Sequence, residues 1–264
     1  YENFPVASLL LPARLRRPIE VIYRFARAAD DIADEGEASD AERLAGLAAY
    51  QAELDRIEAG QPTENPEFSE LATVVAAWRL PVQLLRDLLD AFAQDVTKKR
   101  YADRAELLDY CRRSANPVGR LLPRLFGRTE AIPPARADAV CTALQLVNFW
   151  QDVALDWQKG RVYLPQDELR RFAVGEAQIA EGRCDDAWTA LIDAQLDHAR
   201  RLLQDGAPLV HALPGRLGWE IRLTIQGGLR IAERVAAVRG DVFRQRPTLG
   251  AGDWLHMGSR ALFM

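Results

Sequence analysis

The 264-residue sequence is poor in the residues that most metal, redox and nucleic-acid chemistry needs. Its three cysteines, Cys111, Cys141 and Cys184, lie far apart and form no Cys-x-x-Cys pair. An odd count without such spacing excludes a disulfide framework or a thiolate zinc site, and predicts a reduced, cytoplasmic protein. The three histidines, His198, His211 and His256, form no His-Glu-x-x-His, so a zinc hydrolase is excluded as well. No basic excess exists: the formal charge is −4, where a general nucleic-acid binder carries positive charge to neutralise phosphates. Any phosphate site must be local or supplied with cations by bound metal. No apolar run approaches the roughly 20 residues that span a bilayer, and nothing resembles a signal peptide. The sequence opens on Tyr1, which is compatible with a segment preceding it.

Strand-like alternation of β-branched residues is also scarce, and helical periodicity dominates. Gly and Pro punctuate the expected helix ends, among them Pro12, Pro18, Gly36, Pro81, Pro117, Pro133–Pro134, Gly160 and Pro165. Apolar residues make up 48 %, enough for one substantial core. No repeat, low-complexity tract or long linker divides the chain. The expectation is a single all-α domain over residues 1–264, a helical bundle around a central cavity.

Two of the expected helices carry polar residues where ordinary surface helices do not. The first runs from Pro18 to Glu35 and is apolar over most of its circumference. Its exceptions Tyr23, Arg27, Asp30, Asp31 and Asp34 share one stripe. The second, Cys141 to Trp157, is apolar all round except for Gln145, Asn148, Asp152 and Asp156, spaced 3, 4 and 4, with Gln151 beside them. A helix apolar on nearly all sides is buried, so these stripes face an internal space where bare carboxylates are costly. Both acidic groups also sit at expected helix C-termini, where the dipole disfavours an exposed carboxylate by roughly 0.3–1 kcal/mol. Bound cations would account for the placement. Carboxylates and amides without His or Cys make a hard, oxygen-only donor set suited to Mg²⁺, two or three ions of which could hold a diphosphate. Lys159, Arg161 and Tyr163 follow the second stripe and can donate to a leaving diphosphate. The plainer alternative is a buried network in which Arg27 and other arginines neutralise the acids.

These segments resemble the squalene/phytoene synthase family of trans-isoprenyl enzymes. Asp30-Asp31-Ile32-Ala33-Asp34 matches its first aspartate-rich motif, with Tyr23 and Arg27 as a Tyr-x-x-x-Arg element upstream. Gln145 to Asp156 matches the second motif, and Gly160-Arg161-Val162-Tyr163-Leu164-Pro165 fits a Gly-Arg-Ile-Tyr-Leu-Pro segment. Tyr110 with Ser114-Ala115-Asn116-Pro117-Val118-Gly119 resembles a Tyr-x-x-x-Val-Ala-Gly-x-Val-Gly element. The resemblance implies an isoprenoid synthase fold, Mg²⁺, and ionisation of a prenyl diphosphate to a carbocation. By residue match Asp30, Asp31, Asp34, Asn148, Asp152 and Asp156 would bind metal, and Tyr23, Arg27 and Tyr110 would act catalytically. Gln145, Asn148, Gln151, Lys159, Arg161 and Tyr163 would bind substrate.

Two departures stand out. Gln151 and Leu155 replace the Arg and Glu of the family's Asn-x-x-Arg-Asp-x-x-Glu-Asp, and Ser-Ala-Asn-Pro replaces the Gly-rich stretch. With the opening Glu2-Asn3-Phe4-Pro5-Val6-Ala7-Ser8, they resemble the bacterial hopanoid-pathway branch of the family, which converts presqualene diphosphate to hydroxysqualene. In that reading a neutral Gln and an apolar Leu suffice because one diphosphate is handled, not two. Phe4, Phe149, Trp150 and Trp219 are candidate cavity walls, each read first as plain core. The expected partners are presqualene diphosphate or another long prenyl diphosphate, the pathway enzymes before and after it, and a peripheral membrane surface at the inner face. Condensation of two prenyl diphosphates, or a non-catalytic scaffold role, are the alternatives.

Overall fold

A computed structural model describes residues 11–213 and 215–264. Among them there is no strand, only an isolated parallel bridge between Arg100 and Val162. The helices are α1 (Ala13–Asp34), α2 (Asp40–Glu58), α3 (Pro66–Trp78), α4 (Val82–Thr97), α5 (Arg104–Ser114) and α6 (Asn116–Leu125). After them come α7 (Pro134–Gln151), α8 (Val153–Gln158), α9 (Gln166–Arg171), α10 (Glu176–Ala180) and α11 (Asp186–Gly206). A 3₁₀ turn (Ala207–Ala212) leads into α12 (Gly215–Ala237) and α13 (Ala251–Ala261). None of the described helices is long and apolar enough to cross a membrane.

Local chemistry sets several helix starts. Ser39 caps α2 in a reciprocal box: its hydroxyl accepts the Glu42 N–H and the Glu42 carboxylate accepts the Ser39 N–H at 2.8 Å. Asp103 caps α5 at 2.9 Å from the Glu106 N–H, and Asp185 caps α11 at 2.9 Å from that of Trp188. Pro18 does not end a helix as expected. It lies buried inside α1, which starts at Ala13. The carbonyl deprived of its donor belongs to exposed Arg14, where solvent can satisfy it.

The core is assembled around α7, which packs against α6, α11 and α12, while α1 packs on α2 and α4. Leu191, Ile192, Leu196, Ala199 and Leu203 form the fully buried face of α11, spaced 1, 4, 3 and 4 along one helical stripe. The helix bundle therefore leaves α1, α4 and α7 lining a common interior.

Candidate active site

That interior holds a cavity of about 590 Å³. Ile22, Phe25, Ala29 and Ala33 turn α1 toward the core, which presents Tyr23, Ala26, Arg27, Asp30 and Asp34 to the cavity. Opposite them α7 contributes Cys141, Leu144, Gln145, Val147, Asn148 and Phe149. From Cys141 to Asn148 the wall runs about 10 Å along the helix axis, at 1.5 Å per residue. Charge gathers where α1 and α8 end, and apolar groups line the stretch behind.

Both acid-bearing segments end on glycines in left-handed geometry, Gly36 at φ +75° and Gly160 at φ +72°. The turn at Gly160 closes with the Arg161 N–H donating to the Asp156 carbonyl at 2.8 Å. It redirects the chain so that Val162 pairs with the stretch after α4, its N–H 3.0 Å from the Lys99 carbonyl. Tyr163 is thereby brought over the end of α4.

There it meets Asp95, a residue that the sequence reading passed over. Asp95 is 5 % exposed and accepts hydrogen bonds from the hydroxyls of Tyr110 and, at 3.0 Å, Tyr163. Its backbone carbonyl accepts from Lys99 at 2.6 Å and Arg161 at 3.2 Å. Burial raises its carboxyl to about 6, against the pull of Tyr110 and Arg161. Burial also lifts both phenols well above the usual tyrosine range, so they remain donors. A signal was present: Leu84, Leu88, Ala91 and Asp95 share the buried stripe of α4, and an acid on an apolar face near a helix C-terminus is twice disfavoured. Phe149 stacks on Tyr163 with centroids 3.8 Å apart, which completes an aromatic wall with Tyr101 and Tyr110.

The acids divide into two groups. Asp34 is clamped by Arg161 and Lys159, each at 2.9 Å. Burial alone would raise it, but these two cations outweigh that and hold it below the usual carboxylate range. Arg27 donates to Asp30 at 3.2 Å and pairs with half-exposed Asp31 at 2.8 Å. Asp30 is nonetheless raised, by burial first and then by Asp34, and Asp156 is pushed up to about 8 by burial and then by Asp152. Asp30 and Asp156 thus mark where positive charge is short.

Ten of the expected residues line the one cavity: Tyr23, Arg27, Asp30, Asp34, Tyr110, Gln145, Asn148, Asp156, Arg161 and Tyr163. Lys159 reaches Asp34 from a half-exposed position. The second stripe is broken, however. The helix expected over Cys141 to Trp157 starts earlier and is interrupted at Asp152 (φ −107°, ψ 12°), so α7 and α8 are separate. Asp152 is turned to Arg246, 3.1 Å from one of its guanidinium nitrogens, and does not line the cavity. Gln151 is 1 % exposed and donates its amide to the Pro247 carbonyl, away from the cavity. Leu155 is 48 % exposed. Gln151, expected to bind substrate, does not face the cavity; position 155 faces outward, and Arg246 supplies the positive partner of Asp152. Among the aromatics Phe149 lines the cavity and Trp150 is buried core. Phe4 and the opening motif lie outside the described residues.

Four carboxylates, Asp30, Asp34, Asp95 and Asp156, and the amides of Gln145 and Asn148 offer oxygen donors to the cavity, with Cys141 its one thiol among the described residues. No three described Asp, Glu, His or Cys side chains cluster closely enough to clasp one ion by themselves. The carboxylate and amide oxygens are the donor chemistry that suits Mg²⁺, which keeps waters and takes one or two carboxylates with phosphate oxygens.

The squalene/phytoene synthase family model matches residues 1–253. A hydroxysqualene synthase of Sinorhizobium fredii is 33 % identical over 264 residues, covering 99 % of this chain and 88 % of the relative. A 15-cis-phytoene synthase of Synechococcus elongatus is 30 % identical over 257 residues, covering 93 % and 83 %. Among solved structures, squalene synthase HpnC from Alicyclobacillus acidocaldarius superposes with a TM-score of 0.83 at 36 % identity, covering 90 % of this chain and 89 % of that one. A dehydrosqualene synthase in complex with ligand gives 0.86 at 22 % identity, covering 96 % and 88 %, a likeness of fold. The chain belongs to the squalene/phytoene synthase family, all-helical isoprenoid synthases that act on prenyl diphosphates.

Proposed function

We propose that the chain converts presqualene diphosphate to hydroxysqualene with loss of diphosphate. The observation that supports this best is the charge balance of the cavity. Arg27 and Arg161 are the only cationic side chains lining it among the described residues, and Lys159 adds one more beside Asp34. One such cluster suits one diphosphate. The family uses a divalent metal in its diphosphate chemistry, and here Asp30, Asp156 and Asn148 would hold Mg²⁺ together with phosphate oxygens. The bound ion would draw negative charge off the departing diphosphate.

The chain's own residues do the rest. Arg161 and Lys159 stand ready to donate charge-assisted hydrogen bonds once a diphosphate competes for them with Asp34. Tyr110 and Tyr163, fixed by Asp95, hold their rings and that of Phe149 along the cavity, where π faces stabilise a carbocation. Phe92, Val118, Leu144 and Ile231 make the apolar wall that limits water around it.

The test is incubation with presqualene diphosphate and Mg²⁺, without nicotinamide, followed by product identification; hydroxysqualene is expected. A second reading, condensation of two prenyl diphosphates, is supported by the similar identity to the phytoene synthase. Efficient condensation of farnesyl or geranylgeranyl diphosphate, with presqualene diphosphate left untouched, would select it. Failure of Mg²⁺ and diphosphate to bind together in a calorimeter would leave only a scaffold role.

A further inference from the structure

We propose that Ser114 holds the water that ends the reaction, and so determines that the product is an alcohol. The inference rests on the hydroxysqualene reading above. Ser114 is the last residue of α5, one helical turn beyond Tyr110, and it lines the cavity together with Ala115 and Val118. Its position follows from the local sequence. The chain leaves α5 at Ala115 (φ −116°, ψ −44°), and α6 starts at once at Asn116, with Pro117 in its first turn.

Two buried polar atoms of this wall have no partner among the described residues, Arg161 Nε and the Ser114 hydroxyl, and the hydroxyl is the one that can both donate and accept. Its Oγ is fully buried and has no hydrogen-bond partner among the described residues. A serine or threonine late in a helix has an easy partner in the carbonyl four residues back. Thr73, Thr189 and Thr224 all use it here, each at 3.0 Å, but Ser114 does not take the Tyr110 carbonyl. The adjacent buried Asn116 is satisfied, its carboxamide oxygen accepting from Thr142 at 2.8 Å. Tyr110, Tyr163 and Asp34, which share the cavity with Ser114, are bonded to protein groups, and Arg161 is bonded through its two terminal nitrogens. A buried hydroxyl without a partner is costly, and a ligand that bonds to it recovers that cost. Water does not reach Oγ in the present rotamer, so the hydroxyl meets a cavity water by turning about χ1 to another staggered position, which needs no backbone movement.

In a wall that is otherwise apolar at this point, the fitting ligand is water. The serine oxygen accepts a hydrogen bond from the water and leaves a lone pair of the water free. That lone pair forms the C–O bond to the carbocation, giving an oxonium. The oxonium proton passes to the diphosphate released in the same turnover, so diphosphate ester and water become alcohol and hydrogen diphosphate. The family element reads Val where this chain has Ser114, a side chain that offers water nothing.

The readout is the fraction of alcohol in the total C₃₀ product from presqualene diphosphate and Mg²⁺, measured by gas chromatography and mass spectrometry. As a ratio within each reaction, it does not move with overall turnover. In Ser114→Val and Ser114→Ala the alcohol fraction should fall about fivefold or more, the scale of one lost hydrogen bond, with hydrocarbons formed by proton loss in its place. Ser114→Thr, which keeps a hydroxyl, should restore it. Ser114→Ala keeps the test readable if the bulkier valine does not fold. A wild-type alcohol fraction in both Val and Ala variants overturns the role of Ser114 and leaves the hydroxysqualene reading intact. Equal loss in the Thr variant traces to packing and overturns it too. Absence of alcohol from the wild type refutes both at once.

Discussion

At the scale of single residues, Asp95 and Asp156 are the acids that burial raises furthest among the described residues. Asp156 is held near 8 by burial and by Asp152, whereas an unfolded aspartate titrates near 4. Between those values the folded chain keeps a proton that the unfolded chain has lost. Stability therefore falls as pH rises through this window, by at most about 1.4 kcal/mol per pH unit for one proton. Asp95, raised to about 6, adds to the lower half of the fall. Asp34 has the opposite sign: its lowered value adds stability above the unfolded pKa, lost as pH drops through the folded one. In chelator, the wild-type melting temperature should decline from pH 5 to pH 8. Asp156→Asn should flatten the upper part of that decline, and an unchanged slope would refute the assignment. Asp95→Ala is expected to destabilise the protein by about 2–4 kcal/mol in chemical denaturation, since it strips two buried phenols of their acceptor. Tyr163→Phe should cost less, about 1 kcal/mol, because it removes one donor and leaves the other.

The elements add what no single residue carries. Gly160 ends α8 in left-handed geometry with open space around its missing side chain. Gly160→Ala should therefore cost only backbone strain, about 1 kcal/mol, in a thermal melt. The break between α7 and α8 has a heavier support. Arg246 pairs with Asp152 while Gln151 holds the next residue's carbonyl, so two side chains at the break fasten the 246–247 segment. Both ionic partners are mostly buried, at 24 % and 14 % exposure, and removing one strands the other. Arg246→Ala is expected to cost about 3 kcal/mol. A double-mutant cycle with Asp152→Asn should show a coupling of about 1–3 kcal/mol. Additive effects would mean that the two do not act as a unit.

For the whole molecule, the cavity is a place where ligand and fold stabilise each other. Acids in short supply of positive charge, and arginines tied to acids, both gain when Mg²⁺ and diphosphate enter together. Diphosphate at a hundred times its Kd should add about 2.7 kcal/mol, seen as a rise in melting temperature that needs Mg²⁺ as well. The Asp30→Asn, Asp156→Asn double variant should lose this rise while melting no lower than wild type without ligand, since both acids are raised by burial. An undiminished rise in that variant would place the ion elsewhere.

The sequence by itself determined the helical class, both acid-bearing stretches and the family, because helical periodicity and motif spacing are properties of neighbours in the chain. Tyr23, Arg27, Asp30 and Asp34 fall on one side of α1 for the same reason. Only the tertiary structure decided which acids face the cavity and which are answered by arginine. Arg246 stands 94 residues beyond Asp152, Arg161 127 beyond Asp34, and Asp95 68 before Tyr163. No local pattern encodes such pairings. They are fixed by how α4, α7 and the segments after α8 and α12 pack, and that packing minimises the cost of burying charge across the whole chain.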